Sequence, residues 1–422
     1  MFTTWALAGW QGAALESALP YDTLSTTAQL PDSLAYGQDW AHMQNAYWIS
    51  SSDMESIKQM VMQYGAVNIG YQESGGYRNA TYNSYYNPSG TGSGHAVTIV
   101  GWDDAFSKEH FNQTPKEDGA WLIRNSWGTD SGENGYFWMS YEDASISSQA
   151  FVFDFERADN YSYNYQYDGG ADVGKLRGIS TSANIFRAKK ADNELVKAVS
   201  ISLSKDANVP YTIRVYTNLT NLHNPKSGIL AAKVSGTTTY AGTHTIRLNK
   251  AVSVPQGTYY AVVVELQKSG VGLDMEYAVS DSSLTSRVYC DYNQSFLYRG
   301  GSWEDVADVS TSYGGRIGNI CIKAYADNAG TSIGAVENIK AVRCAKNAVR
   351  ISWGKTAGAK GYEIYQASSK NGTYKKIAAT TSTKYKIKTT SKKSVYYKVR
   401  AYKTTQGIRI CGNFSGSVAV KR

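Results

Sequence analysis

The chain has 422 residues, so a typical domain size of roughly 100–200 residues predicts two to four domains. Hydrophobic residues make up 42% of the sequence and charged residues 18%, which excludes a disordered chain, and no apolar run reaches the roughly 18 residues of a membrane span. The net charge of +8 arises in residues 334–422, which carry 20 basic and 2 acidic side chains, whereas residues 1–150 carry 5 basic and 16 acidic ones. Because the positive excess is confined to one segment, we expect no nucleic-acid partner.

The first 150 residues are predicted to mix helix and strand. A helix is expected over 52–65, with Ser52 and Glu55 as a capping box and apolar residues at helical spacing. Short apolar strands are expected over 66–71, 95–102 and 120–124.

Strands dominate from about residue 151 onwards. Alternating and buried apolar runs, such as 211–216 and 259–266, predict one all-β domain over residues 151–325. The small, polar stretch 326–334 has the composition of a linker. A third domain is then expected over residues 335–422.

The third domain has the period-two pattern of a small β-sandwich, with turns at sequences such as Asn371-Gly372. This pattern resembles a fibronectin type III domain. The resemblance implies that Trp353 is the core tryptophan and that Tyr397 is the tyrosine that closes a corner of the sandwich. The predicted fold class is therefore multidomain and mainly β, with an α+β domain first.

The cysteines give no sign of a metal site. All four lie in the last third of the chain without CxxC spacing, so zinc is not expected. They allow three full pairings, and free buried thiols stay open. The neighbouring acids Asp103 and Asp104 point to opposite faces of a strand, which favours a solvated turn over a calcium site. We expect no cofactor.

Two segments carry residues suited to catalysis. His95 begins an apolar strand, and Asn125 follows another such strand thirty residues later. An asparagine on a neighbouring strand can accept the ring N–H of a histidine and so fix its tautomer. These two residues supply two-thirds of a Cys-His-Asn constellation.

In their order, the segments Ser-Gly-His95, Asn125-Ser-Trp-Gly and Gly-Glu-Asn-Gly-Tyr136 resemble the second half of a papain-like cysteine peptidase. Glu16-Ser-Ala-Leu-Pro-Tyr21 is similar to a stretch that follows the third helix of that family. The resemblance covers residues 1–150 and implies peptide-bond hydrolysis with His95 and Asn125 as catalytic residues. It also implies that Trp127 shields their hydrogen bond and binds substrate. Val67 and Ala96 match positions that line the main specificity pocket of the family; the alternative for these two residues is that they only pack in the core.

The nucleophile of that family is missing, because no cysteine precedes Cys290. In papain-like enzymes the His lies roughly 130–150 residues after the Cys, so the expected position falls before Met1. Cys290 and Cys321 lie in predicted strands, where a buried thiol is the expected state. We therefore expect a partial peptidase domain that is inactive as it stands. Met1–Gly9 lacks the pattern of a signal peptide, so we expect either a cytosolic protein or a chain whose true beginning, with the signal, is missing.

Residues 151–325 resemble the lectin-like domain that follows the peptidase in surface cysteine peptidases of Gram-positive bacteria. Its aromatic side chains are candidates for stacking on sugar rings, although packing within the protein is the favoured alternative. These candidates are Tyr161, Tyr163, Tyr165, Tyr167 and Trp303.

Together these patterns predict a secreted or cell-surface cysteine endopeptidase that acts on protein or peptide substrates. Cell-wall polymers and surface glycans are further candidate partners, because the C-terminal segment is strongly basic. The competing hypothesis is a non-catalytic adhesin or glycan-binding protein built on a peptidase scaffold.

Overall fold

The structure is a computed structural model, and it describes ten stretches of the chain. These are residues 2–11, 14–17, 39–90, 94–169, 172–175, 178–279, 287–330, 333–389, 394–405 and 407–420. Residues 18–21 of the predicted papain-like stretch 16–21 lie outside them. Within the described residues, no helix has the length and apolarity needed to cross a membrane.

Helices are few among the described residues. The α-helices are α1 (Phe2–Ala8), α2 (Met54–Tyr64) and α3 (Val306–Ser312), and Gly75–Tyr77 and Lys108–His110 are single 3₁₀ turns.

Strands make up most of the regular structure. Those of the first half are β1 (Ala41–Ser50), β2 (Val67–Tyr71), β3 (Arg78–Asn79), β4 (Ser84–Tyr85), β5 (His95–Asp103), β6 (Ala120–Arg124), β7 (Tyr136–Ser140), β8 (Gln149–Arg157), β9 (Tyr163–Tyr165), β10 (Asp172–Gly174), β11 (Thr181–Arg187), β12 (Asn193–Leu203) and β13 (Val209–Thr217). Those of the second half are β14 (Ile229–Thr238), β15 (Ala241–Pro255), β16 (Tyr259–Leu266), β17 (Met275–Tyr277), β18 (Ser295–Arg299), β19 (Ser302–Asp305), β20 (Ile317–Ile320), β21 (Ile322–Asn328), β22 (Lys340–Ala345), β23 (Ala348–Ser352), β24 (Gly361–Ala367), β25 (Lys375–Thr380), β26 (Lys384–Lys388), β27 (Val395–Thr405), β28 (Ile408–Cys411) and β29 (Val418–Val420).

Helix α2 forms where the sequence predicts it, but with a different N-cap. The side chain of Asp53 accepts a hydrogen bond from the backbone N–H of Ser56, and Gly65 ends the helix in the left-handed conformation. Ser52 lies one residue too early, and its hydroxyl bonds the hydroxyl of Ser50 instead. The predicted capping box is therefore wrong, while the helix and its glycine stop are present.

The strands of the first domain form one sheet under α2, antiparallel except that β4 pairs with β7 in parallel. Their order is β3-β4-β7-β6-β5-β2-β8-β1. The buried side chains of α2 are Ile57, Met60 and Val61. These pack on a cluster that includes Ile69 and Ile99. The helix therefore covers one face of the strands that carry His95 and Asn125.

The sheet does not end at the predicted boundary at residue 150. Strand β8 runs across that position, because the alternation of buried and exposed side chains continues to Arg157. Strand β1 then pairs with β15 of the second domain, so the sheet continues through β15-β12-β21-β9. The two domains thus share one twelve-stranded sheet.

The second domain is a β-sandwich. The part of the shared sheet from β15 to β9 faces a six-stranded sheet of order β14-β13-β16-β11-β18-β19. Apolar side chains from both sheets interlock in a core that includes Val199, Ile213 and Val262. Strand β21 extends to Asn328, so the predicted linker 326–334 begins inside a strand.

The C-terminal domain is a smaller two-sheet sandwich. One sheet has the order β22-β23-β26 and the other β25-β24-β27-β28, with β29 beside β27. Trp353 lies in the core between them, as the resemblance to fibronectin type III implies. Tyr397 is fully buried, and its hydroxyl has no hydrogen-bond partner among the described residues, so its role as the corner tyrosine stays a prediction.

The small sandwich is docked on the second domain. The backbone N–H of Cys411 donates to Ser253 Oγ at 3.0 Å, and its carbonyl accepts from Asn193 Nδ2 at 2.8 Å. Ile229 packs with Tyr365 and the other buried side chains of the contact. Since these groups are buried and paired, the C-terminal domain has a defined position.

Candidate active site

The topology brings His95 and Asn125 to one edge of the first sheet. His95 begins β5, Asn125 directly follows β6, and these strands are antiparallel neighbours. The start of one strand therefore lies beside the end of the other. His95 Nε2 and Asn125 Oδ1 are 2.9 Å apart.

This hydrogen bond fixes the orientation of the imidazole. When Nε2 carries the proton that Asn125 accepts, Nδ1 of the neutral ring is unprotonated. The indole of Trp127 stacks on His95 with ring centroids 4.9 Å apart and 23° between the planes, and Trp127 itself is 48% exposed. The arrangement holds a half-buried imidazole ready for proton transfer at the surface.

A glycine-shaped loop holds Asn125 in place. The backbone N–H of Asn125 donates to the carbonyl of Gly135 at 2.9 Å. Gly132 has φ +62°, and a Cβ there would lie 2.3 Å from the carbonyl oxygen of Tyr136. The Gly-Glu-Asn-Gly sequence is therefore needed for the loop geometry.

A polar network that the sequence did not suggest supports the stacked indole. The guanidinium of Arg78 lies 5.2 Å from the ring centroid of Trp127 and donates to Glu73 at 2.6 Å and to the hydroxyl of Tyr71 at 3.1 Å. Burial opposes ionisation of Glu73, but hydrogen bonds from Arg78 and Tyr71 lower its pKa, and the charge of His95 contributes in the same direction. No motif marks these residues, because the loop after β2 alone brings them together.

The specificity pair predicted from resemblance is only partly compatible with the sheet. Val67 is fully buried under α2 and lies opposite Ile99, whereas Ala96 is exposed and lies opposite Gly70. Side chains along a strand alternate between faces, so Val67 and Ala96 point to opposite sides of the sheet. Val67 is therefore a core residue, and Gly70 is the neighbour of Ala96 on the open face.

None of the cysteines is placed at this edge. All four are free, with Cys290 half-buried, Cys321 and Cys411 buried and Cys344 exposed. Burial together with the nearby carboxylate of Asp305 raises the pKa of Cys290 to about 12, which disfavours a nucleophilic thiolate. Cys321 is buried as predicted, whereas Cys290 is only half-buried. Neither residue lies within a strand, so the prediction of buried strand thiols is wrong in that respect.

Three of the five aromatic side chains proposed for sugar stacking are packing residues. Tyr161 is 3% exposed and stacks on Tyr325, Tyr165 is in the sandwich core and donates to Glu194, and Tyr167 donates to a backbone carbonyl and stacks on a core phenylalanine. Their hydroxyls and faces already have partners or are buried. The packing alternative therefore describes them correctly.

Tyr163 and Trp303 are only partly buried. Tyr163 lines a cavity of about 900 Å³ beside the first domain. Trp303 packs on Tyr298 and lines a cavity of about 390 Å³ at the far end of the second domain. The two residues therefore belong to separate surfaces and do not form one stacking platform.

A strand-borne histidine, held by an asparagine and covered by a tryptophan, is the arrangement expected for the His–Asn half of a papain-like cysteine peptidase site. Comparison with known families agrees with this class. Residues 1–153 match "Papain family cysteine protease" and residues 164–326 match "Lectin like domain". The chain thus contains a papain-family cysteine protease domain followed by a lectin-like domain.

Curated relatives match the first part of the chain. Cathepsin B-like CP2 of Giardia intestinalis is 31% identical over 157 residues, which are 33% of this chain and 46% of that protein. The chain therefore spans less than half the length of this relative.

Solved structures match both of the first two domains. The clostridial cysteine protease Cwp84 after propeptide cleavage is 25% identical, with a TM-score of 0.66, and the match covers 77% of this chain and 81% of that one. The cysteine protease and lectin-like domains of Cwp84, described as a surface layer associated protein of Clostridium difficile, match with 25% identity and a TM-score of 0.64, covering 77% and 72%.

Proposed function

We propose that the protein is a cell-surface cysteine endopeptidase and that this chain contributes the acid–base half of its catalytic site. The observation that carries the proposal is the hydrogen bond of 2.9 Å from His95 to Asn125 beneath the indole of Trp127. It leaves the other ring nitrogen, Nδ1, as the atom that faces the reaction.

In this proposal His95 moves the protons and Asn125 orients the ring. A cysteine thiolate attacks the peptide carbonyl while the imidazolium of His95 stabilises the thiolate and then protonates the leaving amine. The neutral ring next takes a proton from a water molecule whose oxygen attacks the thioester carbonyl, and cleavage of the C–S bond releases the peptide acid and restores the thiolate. Trp127 shields the bond between His95 and Asn125 from water and so strengthens it.

The thiolate is proposed to come from protease-domain residues that are not among these 422. The four cysteines present belong to the other two domains, and three of them are wholly or partly buried. The match to less than half of a cathepsin B-like relative supports this reading.

The proposed substrate pocket lies on the open face of the sheet, at the edge where β5 begins with His95. Gly70 and Ala96 lie opposite each other there, and both are small, so the pocket has room for a hydrophobic side chain of the peptide. Location at the cell surface is proposed from the likeness to a protein described as surface layer associated. Anionic cell-wall polymers are the proposed anchor, since residues 334–422 carry 20 basic and 2 acidic side chains.

The test uses the native protein isolated from its source cells, treated with an epoxysuccinyl probe that alkylates active-site cysteines. We expect a mass above the 46.2 kDa of these residues and probe on a cysteine other than the four described here. His95→Ala should abolish labelling. An unlabelled protein of 46.2 kDa would overturn the proposal and favour the adhesin.

A further inference from the structure

A cavity of about 730 Å³ separates the second domain from the C-terminal sandwich. Its walls come from β14 and β15 on one side and from β24, β25, β27 and β28 on the other. Five cationic side chains line it, Lys250, Lys375, Lys376, Arg400 and Arg409, together with a single carboxylate, Glu363. We propose that this cavity binds a multiply charged anion of the phosphate class, carried on a polymer.

The carboxylate of Glu363 already accepts hydrogen bonds from three of the cations and from the hydroxyl of Tyr365. Glu363 Oε2 accepts from Arg400 Nε at 2.9 Å and from the hydroxyl of Tyr365 at 2.9 Å. Glu363 Oε1 accepts from Arg409 Nη1 at 2.8 Å and from the ammonium of Lys376. These four bonds occupy the four acceptor positions of a carboxylate.

Three cations around one carboxylate leave an excess of two positive charges. Among the described residues, Glu363 is the one acidic partner with which Lys376, Arg400 and Arg409 form ion pairs. The side chain of Arg400 is 11% exposed and is screened little by water, whereas Lys376 and Arg409 are 40% and 44% exposed and can reach a ligand in the cavity. A bound anion would relieve the repulsion and would take up the N–H groups that Glu363 cannot accept.

Two further cations extend the positive surface across both walls. Lys250 belongs to the second domain and Lys375 to the sandwich, and both are exposed. No ion pair of either is found within the described stretches. A ligand that contacts both would bridge the domains, which favours a polymer with several anionic groups over a single ion.

The cavity offers little to an uncharged sugar. Tyr365 and Tyr374 are 2% and 3% exposed, so their ring faces are not available for stacking. Their hydroxyls are engaged, that of Tyr374 with Ser417 Oγ at 2.8 Å and the carbonyl of Lys370 at 3.0 Å. Charge is therefore the feature of this site that selects a ligand.

Phosphate is the anion that this arrangement favours. Arg400 already donates through Nε to Glu363 and through Nη2 to the hydroxyl of Tyr365. The more exposed guanidinium of Arg409 and the ammonium groups of the lysines are donors typical of phosphate binding. A volume of about 730 Å³ holds more than one such group. This inference locates the wall contact of the proposed function, but it rests on the cavity alone and is independent of the peptidase activity.

The test is calorimetric titration of the 422-residue chain with inorganic pyrophosphate. Arg409→Gln is expected to weaken binding about tenfold or more, since a charged hydrogen bond is lost. Lys250→Gln and Lys375→Gln, which remove exposed cations and leave the Glu363 cluster intact, should each weaken it several-fold. Glu363→Gln should tighten binding, because it removes the competing carboxylate.

The matched control is the double variant Lys384→Gln with Lys388→Gln on β26, in the other sheet of the same sandwich. It loses two positive charges and should change pyrophosphate binding less than about twofold, because exposed charges at a distance are screened. An equal loss of binding in the control and in the cavity variants would overturn the inference. Tighter binding of an oligomer of glucuronate than of pyrophosphate would refute the choice of phosphate, and no binding of either would refute the site.

Discussion

Acid should weaken the C-terminal sandwich through the side chain of Glu363. Burial opposes its ionisation, but the charge of Arg400 and the hydrogen bonds from Lys376 and Arg400 outweigh burial and lower its pKa to about 2. From the ordinary value of 4.5, this lowering corresponds to about 3 kcal/mol of folding free energy, at about 1.4 kcal/mol per pKa unit. Glu363 is 3% exposed, so solvent screening takes little from this figure.

The sign follows from proton binding. The unfolded carboxylate binds a proton near pH 4.5 and the folded one only near pH 2, so the unfolded state binds more protons in between. The stabilisation is complete above about pH 5 and is lost as the pH falls towards 2. The assay is native-state hydrogen exchange of the β24 and β27 amides, corrected for intrinsic exchange rates, over this range.

Glu363→Gln should remove this component of the pH dependence. Glu337 is the matched control, because it is the other acidic residue of the C-terminal segment and is exposed; Glu337→Gln should retain the acid-induced loss. Identical acid sensitivity of the wild-type chain and Glu363→Gln would refute the reasoning, as would an equal effect of the control.

Three substitutions test the packing of the three domains. Tyr397→Phe should raise the free energy of unfolding or change it by less than about 1 kcal/mol, because the buried hydroxyl has no partner among the described residues. A loss above about 2 kcal/mol in urea denaturation would contradict this. Ile57→Ala should lower the free energy of unfolding by about 2–5 kcal/mol, since the Ile57 side chain is 1% exposed in the core under α2. Met62 on the same helix is 72% exposed, so Met62→Ala should lower it by less than about 0.5 kcal/mol. Equal losses would contradict the orientation of the helix. Gly242→Ala should break the pairing of β1 with β15, because the new Cβ would lie 1.9 Å from a backbone oxygen of β1. In the control Gly257→Ala the new Cβ meets no atom within 4 Å, so the substitution should cost only about 1 kcal/mol of backbone strain. Limited proteolysis that releases the first domain from Gly257→Ala but not from Gly242→Ala would refute this.

Much of the local structure follows from the sequence. The helix over 52–65 and the strands that begin near 66, 95 and 120 form where periodicity predicts them, because apolar spacing and glycine stops act within a few residues. The predicted N-cap is one residue too early, since Ser52 and Asp53 are both good caps and only the backbone path decides between them.

Pairing across the sheets decided what the sequence left open. Val67 faces the core because its register places it opposite Ile99. The pairing of β1 with β15 joins residues that lie about 200 positions apart in the chain. Such pairings join residues far apart in sequence, so no local pattern specifies them.

The order of the domains, the candidate catalytic pair of His95 and Asn125, and the concentration of positive charge after residue 334 could be predicted from the residues alone. These features are written in short motifs and in composition. Only the tertiary structure decided that Arg78 and Glu73 support Trp127 and that Glu363 lies among three cations. Both clusters exist because folding brings together charged groups that are far apart in the chain. The energy of their interaction depends on burial and distance, and neither quantity can be read from the order of residues.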